Sequence, residues 1–280
     1  MTGSTPSTDG AVLADFDCTA ETFDGVTRAV YRKGSGPAVV IMHEIPGITP
    51  QVADFGRRVA GAGFTAVMPS LFGEPGRPLS APYLAKSVLS LCVSKEFSFL
   101  ATGRTSPVTT WLRALIDVAH DECGGPGVGV VGMCATGGFA LALATDPAVL
   151  APVMSQPASP APLGRERRRG LDIDPDDLAA VKARVNDEDL CVLGLRFTGD
   201  PAVPAERFRR LREELGDGFV AVEIDSSQGN AHGIKRTAHS VLTNDLVDES
   251  GHPTRDALDR VLDLFAERLS PHSGRHAPGG

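Results

Sequence analysis

The sequence lacks paired cysteines and long apolar runs. Its five cysteines are scattered over 280 residues, with no CxxC pair and no histidine at the spacing of a metal ligand. This pattern argues against a disulfide framework and predicts reduced thiols in a cytoplasmic protein, with no metal or organic cofactor. No charged start precedes an apolar signal segment, and no apolar run approaches the length of a membrane span. We therefore expect no membrane association.

Basic residues are also in short supply. The 27 Lys and Arg residues are outnumbered by 35 Asp and Glu residues, which leaves a formal net charge of −8. A nucleic-acid-binding surface needs a basic excess, so this balance argues against a nucleic-acid partner. The basic run at residues 165–169 is short and is interrupted by Glu166, which predicts a solvated loop.

Internal repeats are absent, and the composition fits one compact unit. A chain of 280 residues with 42% hydrophobic content can bury a large core. We predict a disordered leader over residues 1–10, a single domain over residues 11–269 and a flexible tail over residues 270–280. An insertion around residues 157–185 contains many prolines and arginines, which predicts a lid loop rather than part of the core.

The sequence does contain a regular alternation of apolar runs with amphipathic segments. Strand-like runs occur at residues 38–42, 65–68, 128–131, 149–154, 190–195 and 219–224. Helices are predicted at residues 52–62, 111–118, 139–144, 205–215 and 254–269. This order predicts an α/β fold with a mostly parallel central sheet and helices on both faces. In such a sheet, a functional site lies beyond the carboxyl ends of the strands.

Residues 132–138, Gly-Met-Cys-Ala-Thr-Gly-Gly, form the most informative stretch of the chain. They join a predicted strand to a predicted helix, and their small side chains let the backbone turn sharply between the two. Such a turn lifts Cys134 clear of the sheet and aims a helix N-terminus at it, which favours a reactive thiolate and can hold an oxyanion. Cys134 is therefore a candidate nucleophile. The alternative is a tight turn whose cysteine only packs.

Candidate partners for Cys134 follow other predicted strands. Glu44 comes just after the first strand, and Asp200 follows the strand at residues 190–195. Two histidines, His232 and His239, follow the last strand. Nucleophile, acid and base thus occur in the order Cys, Asp, His, which is the chain order of the α/β-hydrolase arrangement.

Three of these motifs resemble the dienelactone hydrolase family, a cysteine-using branch of the α/β-hydrolase fold. The motifs are Glu44-Ile45-Pro46-Gly47 for the loop after the first strand, residues 132–138 for the cysteine elbow, and Gly199-Asp200 for the acid loop. They are fairly specific, and the likeness extends from about residue 39 to residue 269. The resemblance implies an α/β-hydrolase fold and hydrolase activity.

The same resemblance implies roles for individual residues. It implies that Cys134 is the nucleophile, that Asp200 orients the catalytic histidine, and that Glu44 is a carboxylate that adjusts the state of the thiol. It also implies an oxyanion hole made by the backbone N–H groups of Ile45 and Ala135. The underlying chemistry is general, because a histidine held by a carboxylate can take a thiol proton and two backbone donors can stabilise an oxyanion.

The catalytic histidine is one of two candidates. His232 lies in Asn-Ala-His-Gly-Ile, which is similar to the His-Gly-Phe form of many family members. His239 lies in Ala-His-Ser-Val, which is similar to the alternative His-Ser-Phe form. His239 is fifteen positions before Thr254, the predicted start of the last helix, and this distance accommodates the loop and its docking segment. We therefore favour His239 and interpret residues 226–238 as an enlarged loop.

Two departures from the family bear on the substrate. Residues 95–104 do not clearly match the segment that helps the family bind a substrate carboxylate, and Arg104 is the candidate for that role. Thr243 stands four residues beyond His239, where a cation is expected. Both departures argue against dienelactone itself as the substrate.

These observations predict a carboxylic ester hydrolase that cleaves a small ester or lactone through a Cys-His-Asp triad. We expect it to act as a monomer or homodimer on a small-molecule substrate, without a cofactor. The alternative is a catalytically silent protein of the same fold that binds a small ligand or senses redox state through Cys134.

Overall fold

The computed structural model describes residues 9–93, 97, 105–158 and 164–270. Its strands are β1 (Asp17–Phe23), β2 (Val26–Gly34), β3 (Ala38–Met42), β4 (Thr65–Pro69), β5 (Val128–Met133), β6 (Val149–Ser155), β7 (Val192–Phe197) and β8 (Phe219–Ile224). Its helices are α1 (Asp9–Val12), α2 (Pro50–Gly61), α3 (Ala81–Val93), α4 (Val108–Cys123), α5 (Gly137–Leu143), α6 (Arg165–Arg169), α7 (Pro175–Glu188), α8 (Ala205–Leu215) and α9 (Pro253–Leu269). Most of the predicted leader and tail lies outside the described residues.

The strands form one sheet in the order β1-β2-β4-β3-β5-β6-β7-β8. In this order, every neighbouring pair from β4 through β3 to β8 is parallel. The pairs β1 with β2 and β2 with β4 are antiparallel. The predicted α/β fold with a mostly parallel central sheet is therefore confirmed. The antiparallel pair β1 and β2 was not predicted, although the dipeptide Asp24-Gly25 between them is a typical hairpin turn. Both of its residues have positive φ, at 50° and 77°.

The core consists of two apolar layers, one on each face of the sheet. Successive side chains of β3 alternate between them, since Val39 and Ile41 belong to one layer and Val40 and Met42 to the other. Helices α2 and α9 cover the first layer, and α4, α5, α7 and α8 cover the second. Strands β3, β4, β5 and β7 are buried along their whole length, which explains why they lack the polar alternation of an exposed strand.

Local signals fix several helix starts. Thr49 caps α2 by accepting a hydrogen bond from the Val52 N–H at 3.4 Å, and Pro50 occupies the first helical position. This helix therefore begins two residues before the predicted start. Helix α4 extends beyond its predicted bounds at both ends because Val108 and Ala119 add further buried positions on the same face.

The insertion predicted as a lid loop contains two helices in its described part. Helix α7 connects β6 to β7, and its residues Leu178 and Val181 are buried in the core. This part of the insertion is therefore a crossover helix and not a loop over the site. Pro175 and the acidic residues that follow it fit the first turn of a helix, a start signal that the proline-rich composition concealed.

The basic run at residues 165–169 also differs from the expected loop. It forms the short helix α6, which packs beside α8. Arg168 pairs with Glu206 at 2.9 Å, and Arg169 pairs with Glu213 at 2.6 Å. Its charges are thus partly matched by the neighbouring helix. No helix within the described residues is long and apolar enough to cross a membrane.

Candidate active site

The candidate site residues meet where neighbouring strands end. Met42 at the end of β3 lies opposite Gly132 of β5, and Phe197 at the end of β7 lies opposite Ile224 at the end of β8. Because these strands are parallel and their ends are level, the loops that follow them emerge at one edge of the sheet. The structure thus brings the segments that carry Glu44, Cys134, Asp200 and His239 to the same edge.

Cys134 lies in a strained turn between β5 and α5. Its φ is 54°, and it begins a 3₁₀ turn, Cys134–Thr136, that leads directly into α5. Left-handed backbone at a non-glycine residue costs about 1–2 kcal/mol, so the surrounding packing must maintain it. The small neighbours make that packing possible. A Cβ at Gly132 would lie 2.2 Å from the Thr136 carbonyl oxygen, and one at Gly137 would lie 2.5 Å from the Pro157 Cα.

Thr136 joins the elbow to the end of β3. Its buried hydroxyl accepts a hydrogen bond from the Met133 N–H at 2.8 Å and lies 2.9 Å from the Met42 carbonyl oxygen, to which it donates. This single side chain therefore fixes the cysteine turn relative to the loop that begins at His43. Thr136 belongs to the predicted elbow motif, but the sequence did not predict this contact.

His239 lies between Asp200 and Cys134. Its Nδ1 is 2.6 Å from the Asp200 Oδ2, and its ring also makes a side-chain hydrogen bond with Cys134. Burial lowers the pKa of His239, but the electrostatic interaction with Cys134 and the hydrogen bonds with Asp200 and Cys134 outweigh that effect and raise the pKa to about 11. The protonated His239 ring is therefore favoured over the neutral ring.

Asp200 is positioned by the loop after β7. Its carboxylate is buried, and its Oδ1 accepts a hydrogen bond from the Ala202 N–H at 2.9 Å, which leaves Oδ2 for the histidine. The preceding residue, Gly199, donates its N–H to the Ser226 hydroxyl at 2.9 Å. A Cβ at Gly199 would lie 2.9 Å from that hydroxyl oxygen, so this glycine permits the close approach of the two loops.

Asp245 shapes the segment that carries His239. Its Oδ2 accepts hydrogen bonds from the backbone N–H groups of His239 and Ser240, at 2.8 Å and 2.9 Å. Asp245 was not among the candidate residues predicted from the sequence. The short spacing of six residues between it and His239 is a local signal, because Asp side chains often accept hydrogen bonds from nearby backbone.

Glu44 is buried and bound by four uncharged side chains. Its Oε2 accepts hydrogen bonds from the Ser240 hydroxyl at 2.7 Å and from the Gln156 amide at 3.3 Å. Its Oε1 accepts hydrogen bonds from the Thr243 hydroxyl and from the Asn244 amide, the latter at 3.4 Å. All four partners donate, which suits an ionised carboxylate. Glu44 therefore connects the loop after β3 to the segment that carries His239.

His43 has a structural role. Its Nδ1 lies 3.0 Å from the Glu44 carbonyl oxygen, and its Nε2 accepts a hydrogen bond from the Leu71 N–H at 3.0 Å. Complete burial lowers the pKa of His43 to about 4, so the ring is neutral and Nδ1 carries the proton. Both ring nitrogens are used by the backbone, which leaves neither of them for catalysis.

The two candidate oxyanion donors occupy equivalent positions just after the neighbouring strands β3 and β5. Ile45 follows Met42 by three residues, and Ala135 follows Gly132 by three residues, while Met42 and Gly132 are register partners. Ala135 belongs to the turn at the start of α5, where backbone N–H groups have no partner within the helix. Arg104, the candidate for binding a substrate carboxylate, lies outside the described residues.

His232 lies elsewhere. It is exposed and faces His252, with ring centroids 5.3 Å apart, in a surface cavity of about 500 Å³ between β8 and the start of α9. The contacts with Asp200 and Cys134 are made by His239. Within the described residues, no group of three or more His, Cys, Asp or Glu side chains is arranged to hold a metal ion.

The eight-stranded, mostly parallel sheet and the cysteine elbow between β5 and α5 define a protein of the α/β-hydrolase fold. Comparison with known families agrees with this assignment, because the sequence profile of the dienelactone hydrolase family matches residues 26–269. The chain belongs to the dienelactone hydrolase family. The family resemblance found in the sequence is confirmed.

Solved structures support the fold. The dienelactone hydrolase-like promiscuous phosphotriesterase P91 from metagenomic libraries is 16% identical, with a TM-score of 0.62 over 91% of this chain and 98% of that chain. Dienelactone hydrolase from Anabaena variabilis ATCC 29413 is 15% identical, with a TM-score of 0.57 over 91% of this chain and 98% of that one.

A curated relative matches a short part of the chain. The hydrolase fragment YghX of Escherichia coli (strain K12) is 47% identical over 47 residues, which cover 15% of this chain and 40% of the relative. The chain therefore spans about two fifths of the length of this relative.

Proposed function

We propose that this protein hydrolyses small carboxylic esters or lactones, with Cys134 as nucleophile, His239 as acid and base, and Asp200 as the residue that orients His239. The observation that carries the proposal is the position of the His239 ring, 2.6 Å from Asp200 on one side and hydrogen-bonded to Cys134 on the other. A nucleophile, a base and an orienting carboxylate in this order of contact are the parts of an acyl-transfer triad.

The reaction begins with attack of the Cys134 thiolate on the carbonyl carbon. A C–S bond forms, and the carbonyl electron pair moves to oxygen, where the N–H groups of Ile45 and Ala135 stabilise the oxyanion. When the intermediate collapses, the C–O bond breaks and the leaving oxygen takes the proton held by His239. The products of this half-reaction are an alcohol and an acyl-cysteine.

Water completes the cycle. His239, now neutral, removes a proton from a water molecule as the water oxygen attacks the acyl carbon. Collapse of the second tetrahedral intermediate breaks the C–S bond, releases the carboxylic acid and regenerates the thiolate beside the imidazolium. Asp200 keeps the ring in one orientation throughout, since its carboxylate holds Nδ1.

Glu44 contributes its charge and its position in this proposal. Its carboxylate is occupied by four donors, so it influences the thiolate through its electric field rather than by taking the thiol proton. Its side-chain contact with Ser240 also holds the residue that follows His239. The two effects make Glu44 a positioning residue for the base.

The test compares hydrolysis of p-nitrophenyl acetate by wild type and by four alanine variants. We expect Cys134→Ala and His239→Ala to lower kcat/KM by at least about 10³-fold, whereas His232→Ala retains wild-type activity. Cys123→Ala is the matched control for loss of a thiol. An inert wild type whose Cys134 still reacts with iodoacetamide would contradict hydrolysis and favour the binding or redox-sensing alternative.

We also propose that the protein acts in the cytoplasm as a monomer or homodimer, without a metal or organic cofactor. The support is the state of the cysteines, since Cys18, Cys123, Cys134 and Cys191 are all free thiols. The chemistry above needs only water as second substrate. Size-exclusion chromatography with light scattering measures the oligomeric state, and full activity after treatment with a chelator is the expected result.

A further inference from the structure

The negative charge of Glu44 is stabilised by hydrogen bonds but is not balanced by a positive charge among the described residues. All four of its hydrogen-bond donors are uncharged hydroxyl or amide groups. Among the described residues, Glu44 takes part in none of the ion pairs. A buried carboxylate whose charge is not balanced by a cation projects a negative potential into its surroundings, and low local polarity strengthens that potential.

The other charged groups at this edge of the sheet reinforce the negative potential. Asp200 and Asp245 each contribute a carboxylate, and Asp245 is bound by backbone N–H groups rather than by a cation. His239 supplies one positive charge, but Cys134 and Asp200 already share it. Among these groups of the described residues, the three carboxylates of Glu44, Asp200 and Asp245 thus outnumber the one cation, His239.

Nearby arginines do not reverse this balance. Arg196 is buried beside the Asp200 loop, but its guanidinium is bound by Glu223 at 3.1 Å and by backbone carbonyl oxygens. Arg236 is exposed, and its Cγ packs near Gly199, so solvent screens its charge. Neither guanidinium contacts Glu44. Arg28 contributes, after burial, to the lowered pKa of His43, so its charge reaches this edge, but its guanidinium donates to the Leu71 carbonyl oxygen at 2.9 Å and lies over the Phe97 and Trp111 rings.

Thr243 occupies the position from which a cation could have neutralised Glu44. It is nearly buried, and its hydroxyl donates to the Glu44 Oε1. A threonine hydroxyl donates one hydrogen bond to the carboxylate but carries no charge. Thr243 therefore provides no cation that could bind an anionic substrate. The neighbouring Asn244 has the same property, since its amide donates to the same oxygen.

We propose that this site selects esters and lactones that carry no negative charge near the scissile bond, and that Thr243 determines this specificity. The inference rests on the proposed function, because it names the substrate class of the same site. A carboxylate on the acyl group approaches the carboxylates of Glu44 and Asp200 and is repelled by both. The repulsion is present in the encounter and in the transition state, so it lowers kcat/KM.

The first test uses one matched pair of substrates, p-nitrophenyl hydrogen adipate and its monomethyl ester. The two differ by one negative charge, and each rate is divided by its own rate of spontaneous hydrolysis. We expect wild type to favour the neutral ester by at least about tenfold in kcat/KM at low salt. The preference should shrink when NaCl is raised to about 0.5 M, because salt screens charge repulsion but not a steric clash.

The second test compares Thr243→Arg with Thr243→Val. Arginine at this position supplies a cation beside Glu44, whereas valine keeps the shape of threonine and adds no charge. We expect Thr243→Arg to reduce the preference for the neutral ester at least about threefold, and Thr243→Val to leave the preference in place. The readout is the ratio of the kcat/KM values for the two esters, so a general loss of activity cannot produce the expected change in this ratio.

Equal hydrolysis of the two esters by wild type, or a preference that salt does not change, would overturn the inference. In the first case, loss of the anionic activity in Arg104→Ala would identify the cation that binds the substrate. The electrostatic potential at Cys134 can also be measured without catalytic turnover. The measure is the ratio of the rates at which anionic iodoacetate and neutral iodoacetamide alkylate Cys134. Hydrolysis of neither ester would contradict the proposed function, and the alkylation ratio in Thr243→Arg against Thr243→Val would still decide the charge inference.

Discussion

At the scale of single residues, the ring of His239 has the most consequential environment, because it lies between the carboxylate of Asp200 and the sulfur of Cys134. Burial lowers its pKa, whereas the interactions with Cys134 and Asp200 raise it, to a net value of about 11. A raised pKa in the folded state means that the folded protein holds this proton more tightly than the unfolded chain. The resulting stabilisation is fully present below about pH 6.5 and is lost as the pH rises towards 11.

We therefore expect the stability advantage of wild type over His239→Gln to fall as the pH increases. Urea denaturation at pH 6, 8 and 10 measures the free energy of unfolding of both proteins, and glutamine at this position does not titrate. The control is His232→Gln, which removes an exposed imidazole. A difference between wild type and His239→Gln that is constant over this range would contradict the assigned environment.

Thr136 provides a second prediction for a single side chain. Its hydroxyl is the partner of two buried backbone groups, the Met133 N–H and the Met42 carbonyl. Thr136→Val keeps the shape but leaves both groups unsatisfied, so we expect a loss of about 1–3 kcal/mol in the free energy of unfolding. Thr110→Val, at an exposed position of α4, is the matched control and should change stability by less than about 0.5 kcal/mol. Equal effects of the two substitutions on the free energy of unfolding would show that the hydrogen bonds of the Thr136 hydroxyl contribute nothing to stability.

At the scale of secondary-structure elements, α7 decides how the insertion at residues 157–185 is used. If α7 is part of the core, Leu178→Ala should cost about 2–5 kcal/mol of unfolding free energy and leave kcat/KM of the folded protein unchanged. Leu89→Ala in α3 is the control, because Leu89 is 68% exposed. A mobile lid predicts the opposite pattern, with little change in stability and altered kinetics.

The elements that the sequence predicted best are those with a strong apolar period. The bounds of β8 and α8 agree with the prediction, because each of these segments has its own turn or cap signal at both ends. The pair β1 and β2 was missed because its residues are mostly exposed or half-buried and lack a continuous apolar run. Only the turn dipeptide Asp24-Gly25 indicated it.

The residues of the candidate site also fall into those that local sequence patterns could predict and those that they could not. Cys134, Glu44 and Asp200 could be predicted because each directly follows a strand, and position along the chain then implies position in space. Two histidines followed the last strand, and spacing favoured His239 without excluding His232. The contact of Gln156 with Glu44 joins residues 112 positions apart, and such contacts depend on tertiary packing that no local pattern encodes.

At the scale of the whole molecule, one sheet supports both apolar layers, so neither layer can unfold alone without exposing the other face of the same strands. We expect a single cooperative transition in urea. The chain contains one tryptophan, Trp111, which is buried in the layer of α4, contacts Phe23 of β1 and donates to the Val26 carbonyl at 2.9 Å. Its fluorescence and the far-UV circular dichroism should therefore change together.

Separate transitions would contradict this expectation in an informative way. An early change in Trp111 fluorescence would show that the β1–β2 hairpin detaches from α4 before the parallel part of the sheet unfolds. Phe23→Ala, which removes the ring that packs edge-on against Trp111 at 5.2 Å, should then advance the fluorescence change alone.

The left-handed backbone at Cys134 has a consequence for how such a protein evolves. Glycine adopts this conformation freely, so it is the residue that heat resistance alone favours at position 134. A laboratory selection that rewards survival at high temperature and ignores turnover would therefore tend to discard the thiol. Under the proposed function, retaining the cysteine would require selection for turnover as well as for stability.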